Sequence, residues 1–314
     1  MEKRNILVVG ATGYLGNKIA TALVAKNENV TALVRKGTNP EKLLSMGVKA
    51  IEGDLTNRDS LDKALLGVTH IITSAIGCFP RRKGDNIQSV DEKGNKNLIE
   101  AAKKANIEKF IFISVATAEK APHVPNFWQK KLIEDYLEKS KVPFVSIRPA
   151  AFIDQSPRAL VPLFGENATG DLYEKDLRKG CITSVGNPKI KISMVLTDDL
   201  VKYIINALDE PKAVGKRIEI SSGKPVSMAE MAEIFSRHLN SEIKVKVTPL
   251  WLMNCILYLF SKNKPMASYF RAMFKYFQTG TYVTDNSLQK EIFGEIPKIE
   301  DSLGIYLRKI NLIE

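Results

Sequence analysis

Three glycines stand at a spacing that could do chemistry. Gly10, Gly13 and Gly16 lie in the segment ILVVGATGYLG, just after an apolar, β-branched run and at the opening of a helix-like segment. A glycine pattern alone carries little weight. Placed between a first strand and a first helix, it is the arrangement that receives a dinucleotide pyrophosphate. The first glycine permits a tight turn, the middle one lets backbone N–H groups approach the phosphates, and the last lets helix and strand pack closely. The helix N-terminus adds a field that favours an anion. Gly10, Thr12, Gly13, Tyr14, Leu15 and Gly16 are the residues expected to line that ligand.

The ends of the next strand-like runs refine the expectation. A carboxylate at the end of the second run would bind the ribose hydroxyls of NAD. Here NVTALVRKG ends in Arg35 and Lys36. An arginine suits bidentate contact with a 2′-phosphate and stacking on adenine. NADP(H) is therefore the expected cofactor, with NAD(H) second; the plain alternative is a surface arginine at a strand end. Asp54 and Leu55 close the third run, where a carboxylate can accept from the adenine amino group. Ala75, Ile76 and Gly77 close the fourth, where small residues let the backbone approach a ribose.

These positions require elements to hold them. Strand-like runs are expected at Ile6–Val9, Val30–Val34, Val48–Glu52, His70–Thr73, Phe110–Ser114 and Phe144–Ile147. Helical spacing is clearest at Val90–Ala105 and Asn126–Ser140, where Leu98, Ile99, Ala102 and Ala105 share one face. Such alternation implies a Rossmann-type, doubly wound parallel sheet with helices on both faces. The expected division is a dinucleotide-binding domain over 1–150 and a smaller α/β substrate lobe over 151–314, interleaved with the first and partly helical. Residues 151–190 read as a loop-rich lid. A strand at 191–196, a helix at Asp198–Leu208, a strand at Arg217–Ile220 and a helix at Ser227–Leu239 follow; Ser227 and Glu230 form a capping-box pattern.

Residues 249–260, PLWLMNCILYLF, form the most apolar stretch. It is too short to span a bilayer, which needs about 20 residues. It reads first as a buried helix. With the aromatic segment MASYFRAMFKYF after it, it could instead wall an apolar pocket or touch a membrane surface. Phe152, Trp251, Phe270 and Phe274 are the candidate pocket-lining residues, with ordinary core packing as the alternative for each.

Composition excludes several classes. At 44% hydrophobic and 26% charged, the 314-residue chain is not of the disordered type. Cys78, Cys181 and Cys255 are far apart, with no ligand-spaced histidines. That disfavours a disulfide framework or metal site and suits a reducing, cytoplasmic compartment. No signal-peptide pattern opens the sequence. The net charge of +11 suits a phosphate-rich cofactor and a solvated basic surface. No nucleic-acid-binding motif accompanies it. Peripheral membrane contact and a small-molecule substrate stay open as partners, and the oligomeric state is not legible.

The segments VGATGYLG, LVRKG, IEGDLTNRDSL, VDEKGNKNLIEAAKKANIEKFIFIS and KKLIEDYLEKSKVPFVSIRPAAF together resemble the atypical short-chain dehydrogenase/reductase family, in its NmrA-like and isoflavone-reductase-like branch. The wider family uses a Ser or Thr, a Tyr and a Lys. The Tyr moves the proton; the Lys lowers the Tyr pKa and holds the nicotinamide ribose. In register with VPFVSIRP, the resemblance assigns the lysine to Lys130, with Glu134 one turn later and Pro149 closing the strand at the cofactor. The tyrosine place is then Asn126; taking Lys131 instead gives Phe127. The usual serine place falls near Val115, with Ser114 one residue earlier. Three readings follow: an NADPH-dependent reductase that relies on Lys130, with His123 as a candidate proton donor against a solvated loop histidine; a non-catalytic NADP(H)-binding sensor or scaffold; and, last, a sugar-nucleotide epimerase or dehydratase, which needs the missing tyrosine.

Overall fold

The computed structural model describes residues 3–78, 80, 82–154, 172–261 and 266–314. The chain divides into two compact units. The first combines residues 1–118, 126–148 and 201–218; the second combines 119–125, 149–200 and 219–314.

The first unit is built on a parallel sheet. In chain order its elements are β1 (Asn5–Val9), α1 (Tyr14–Ala25), β2 (Asn29–Val34), α2 (Glu41–Leu44), β3 (Lys49–Glu52), α3 (Arg58–Ala64), β4 (His70–Thr73), α4 (Asn95–Lys104), β5 (Lys109–Ile113), α5 (Pro125–Ser140) and β6 (Phe144–Pro149). A seventh strand, Arg217–Ile220, lies beside β6, and the sheet order across it is then β6, β5, β4, β1, β2, β3. The adjacent pairs β3–β2, β2–β1, β1–β4, β4–β5 and β5–β6 are parallel. Strands β4, β5 and most of β1 are buried, as continuous β-branched runs in a covered sheet must be. Leu7, Val9, Ile71, Leu98, Ile99, Ala102, Phe110, Phe112, Ile133 and Leu137 belong to one apolar cluster.

Strand positions agree with the apolar runs to within one residue at most ends. The helix expected at Val90–Ala105 divides. Residues Ile87–Gly94 wind as a π-helix capped by Asn86 and Ser89 before α4 begins. Such widening is a feature of functional sites, and apolar periodicity does not reveal it.

The second unit has its own core, with Ile153, Ile182, Met194, Leu196, Met231, Phe235, Leu303 and Tyr306 in one cluster. The Ser227 cap forms as its spacing implies: Glu230 N–H donates to Ser227 Oγ at 3.2 Å and Ser227 N–H to Glu230 Oε2 at 2.9 Å. The strand expected over 191–196 contracts to Met194–Val195, paired with Ala151–Phe152. The stretch read as a loop-rich lid contains a helix, Leu172–Leu177, and a strand, Cys181–Val185, parallel to Lys244–Thr248. Residues 155–171 of that stretch lie outside the described residues.

The helix Leu250–Ser261 corrects the expectation of burial. It buries only Met253 and Leu257, while Trp251 is 66% and Leu259 75% exposed. Trp251 therefore is not core packing among the described residues. Phe270 is buried and stacks with Phe274 at 6.2 Å between ring centres, while Phe152 is half-buried. Among the described residues no helix is long and apolar enough to cross a membrane.

Candidate functional site

The parallel register brings the strand ends into one line. Val9 pairs with both Leu33 and Thr73, Val34 with Glu52, Thr73 with Phe112, and Ile113 with Ile147. Gly10, Arg35, Ser74 and Ser114 thus emerge along the carboxyl edge of the sheet. The chain reverses direction across the sheet between β1 and β4, and a crevice outside the carboxyl ends at such a switch point is where open α/β sheets bind ligands.

At that point the glycine turn is tight. Gly13 N–H donates to Gly10 O at 2.8 Å, and Gly10 has φ +87°. A Cβ at Gly16 would stand 2.2 Å from Gly10 O, and one at Gly10 would stand 2.8 Å from Ser74 Oγ. Backbone approaches backbone where side chains are absent. Helix α1 starts at Tyr14 with Gly13 as its cap; no side chain caps it and no acid occupies its first turn. With neither in place, this helix N-terminus keeps a field that favours an anion. The cradle fits a pyrophosphate.

The basic corner after β2 has an acid in it. Arg35 Nη1 donates to both carboxylate oxygens of Asp85, at 2.8 and 3.1 Å. Arg82 Nη2 donates to Lys36 O at 2.5 Å and Thr38 Oγ1 at 3.1 Å. Arg35, Lys36 and Arg82 together outnumber Asp85, so the corner is net positive. After β3, Asp54 Oδ1 accepts from both the N–H and the hydroxyl of Thr56 at 2.8 Å, which orders the turn into α3. Leu55 is buried.

Helix α5 presents its two lysines differently. Lys130 is buried: its Nζ donates to Ala75 O at 3.1 Å, lies 3.5 Å from Asp91 Oδ1 and sits 4.9 Å above the Phe112 ring. Lys131 turns outward to Asp135 at 2.5 Å and over the Trp128 ring. Asp91 also accepts the Gly77 N–H at 2.6 Å. Burial raises the Asp91 carboxyl above its ordinary range, and the Lys130 charge and the Gly77 N–H draw it partly back. Burial beside Asp91 likewise pushes the Cys78 thiol far up, so Cys78 is no thiolate nucleophile. One turn after Lys130, the fully buried Glu134 accepts from Arg148 Nε at 2.8 Å and from Ser146. This pair staples α5 to β6.

Three buried polar atoms near these elements have no partner: Ser114 Oγ after β5, and Asn126 Oδ1 and Gln129 Nε2 on α5. Unsatisfied buried groups are uncommon, and these share the helix or the neighbouring strand end with Lys130. His123 belongs to the second unit, where it is exposed and meets the Tyr276 ring edge-on at 5.6 Å. Pro149 closes β6.

Sequence reading missed Asp85 and Asp91. Both are carboxylates far along the chain from the cations they meet, and the only signal was an acid inside the matched VDEKGNKNL segment.

The NmrA-like family matches residues 2–310 of this chain. A photosystem II assembly factor, Ycf39 of Cyanophora paradoxa, is 37% identical over 246 residues, covering 78% of this chain and 72% of the relative. The crystal structure of the Citrobacter sp. triphenylmethane reductase complexed with NADP(H) is similar with TM-score 0.73 and 21% identity, covering 95% of this chain and 98% of that one. An NADPH-dependent quinone oxidoreductase from Escherichia coli, complexed with NADPH, is similar with TM-score 0.72 and 18% identity, covering 96% and 99%. A glycine cradle at the switch point of a seven-stranded sheet, matched along nearly its whole length, makes this chain a member of the NmrA-like family.

Proposed function

We propose that this protein is an NADPH-dependent reductase of a small apolar or conjugated acceptor, an enone or quinone-like carbonyl. The observation that carries the reading is the Gly10–Gly16 cradle, with no room for a Cβ at Gly10 or Gly16, at the switch point beside the buried Lys130. Family membership and the NADP(H) held by structural neighbours support it.

Gly10, Thr12, Gly13, Tyr14, Leu15 and Gly16 would hold the pyrophosphate. Arg35 and Lys36 would take the 2′-phosphate, with Asp85 moving aside or sharing Arg35. Asp54 and Leu55 would border the adenine, Ala75, Ile76 and Gly77 the ribose, and Lys130 the nicotinamide ribose, with Pro149 closing the strand beside it. When bound, the reduced cofactor supplies a hydride equivalent to an electrophilic carbon. Lys130 stabilises negative charge that develops beside it. The unpartnered Ser114 Oγ and Gln129 Nε2 can donate hydrogen bonds to an acceptor oxygen, whereas the unpartnered Asn126 Oδ1 can only accept one. Asn126 stands where the wider family has a tyrosine, so this α5 position supplies no phenolic proton. An acceptor whose reduction leaves a delocalised anion needs less acid help than a simple ketone, which favours conjugated substrates. The closing proton is taken from water.

The 37% identity to an assembly factor favours a second reading, in which the chain binds NADP(H) without turnover. Lys130 already engaged by Asp91 and Ala75 is compatible with that. Tryptophan fluorescence titrations with NADPH and NADH, followed by NADPH oxidation against a panel of enones, quinones and imines, separate the two. Turnover with a conjugated acceptor supports the reductase. Tight NADPH binding with no turnover across the panel gives the second reading.

A further inference from the structure

The helix Leu250–Ser261 is apolar at every position but Asn254 and Ser261. Trp251, Leu252, Cys255, Tyr258 and Leu259 are exposed on it, with Trp251, Tyr258 and Leu259 open by 66%, 58% and 75%. Their spacing of three, four, seven and eight residues places them on one side of a helix. The other side buries Met253 and Leu257. Scattered exposed apolar residues are ordinary, but a contiguous patch with two large aromatics marks a contact surface.

Charge indicates what the surface meets. From Ile243 to Thr284 the sequence has no Asp or Glu, and its cations are Lys244, Lys246, Lys262, Lys264, Arg271 and Lys275. Lys244, Lys246 and Lys275 are exposed. Arg271, on the neighbouring helix Met266–Phe277, lies 5.6 Å from the Tyr258 ring centre. An apolar stripe with Trp and Tyr, in a stretch of sequence whose only charges are cationic, is the pattern of a helix lying in a bilayer interface. A second copy of this chain fits poorly, since a two-fold contact would set like charges against each other. At 12 residues the helix is too short to cross.

We propose that the helix Leu250–Ser261, framed by Arg271 and Lys275, docks the protein on an anionic lipid surface. Trp251, Tyr258 and Leu259 enter the headgroup–acyl boundary, and the basic side chains meet phosphate groups. The docking does not depend on the cofactor reading.

The test is flotation of the full chain with phosphatidylcholine vesicles, alone or mixed with phosphatidylglycerol. The chain should float with the mixed vesicles, and added salt should release it. Leu259→Glu and Trp251→Glu should each abolish flotation without changing thermal unfolding, because both side chains are exposed. Arg271→Gln and Lys275→Gln should each weaken partitioning by about fivefold. In a Trp128→Phe background, which leaves Trp251 as the single tryptophan, emission should shift to the blue on vesicle addition. Failure to float with either vesicle overturns the proposal, as does flotation that survives Leu259→Glu. A concentration-dependent dimer broken by Leu259→Glu, with no vesicle binding, overturns it too and gives the face to a second copy.

Discussion

Lys130 and Asp91 form a buried ion pair whose two members are tied to the same turn. Lys130 Nζ stands 3.5 Å from Asp91 Oδ1 and donates to Ala75 O, while Asp91 Oδ2 accepts the Gly77 N–H at 2.6 Å. The pair clamps the backbone after β4 and holds the amine at the carboxyl edge of the sheet.

Breaking this pair one member at a time should be costly. Lys130→Ala leaves a buried carboxylate unpaired, with an expected stability loss of about 3–5 kcal/mol. Adding Asp91→Asn should restore much of it, since a neutral amide can still accept from Gly77. Turnover should stay lost in both variants. Lys131→Ala touches only a partly exposed pair and should cost less than about 1 kcal/mol, with turnover kept. Urea unfolding and NADPH oxidation check both. The reverse ranking of the two lysines would assign the site to Lys131.

Gly16→Ala should remove cofactor binding. Its Cβ would meet Gly10 O at 2.2 Å, and neither backbone can give way without opening the turn. The strain should cost roughly 1–3 kcal/mol. Fluorescence titration with NADPH and thermal unfolding measure the two effects. Unchanged NADPH affinity would detach the glycine turn from the ligand.

Asp85 should weaken the hold on NADPH without reversing the preference for it. It occupies Arg35 Nη1 through both of its oxygens. Asp85→Asn should tighten NADPH, because the guanidinium is released and a negative charge near the phosphate is removed. Arg35→Ala should weaken NADPH by roughly 10- to 100-fold, the scale of a charge-assisted hydrogen bond, and leave NADH nearly unchanged. Equal losses for both cofactors would mean that Arg35 does not read a 2′-phosphate.

Asp135 gives a pH-dependent contribution of known sign. Burial alone would raise its carboxyl, but hydrogen bonds from Lys131 and Arg217 outweigh that and hold it below the ordinary value of 3.8. The folded state therefore favours the ionised form. The contribution is fully present above the ordinary carboxylate value and is lost as pH falls through the lowered one. Asp135→Asn should cost about 0.5–1 kcal/mol at neutral pH and almost nothing in strong acid. Unfolding curves for both proteins across that range test it; a gap that persists in acid would contradict the ion-pair account.

The sequence by itself determined the alternation of strands and helices, because β-branched runs and 3.6-residue spacing are local properties. It also determined the glycine cradle, since only residues without a Cβ tolerate that approach to neighbouring backbone, and the capping box at Ser227, whose partners lie three residues apart. Tertiary structure decided what depends on residues distant along the chain. Asp85 reaches Arg35 across 50 residues, and Asp91 meets Lys130 only when the segment before α4 folds against α5. It also decided the face of Leu250–Ser261. A helix apolar at all but Asn254 and Ser261 reads as core from composition, because burial is a property of what packs around it. Here the packing covers Met253 and Leu257 and leaves Trp251 and Leu259 open.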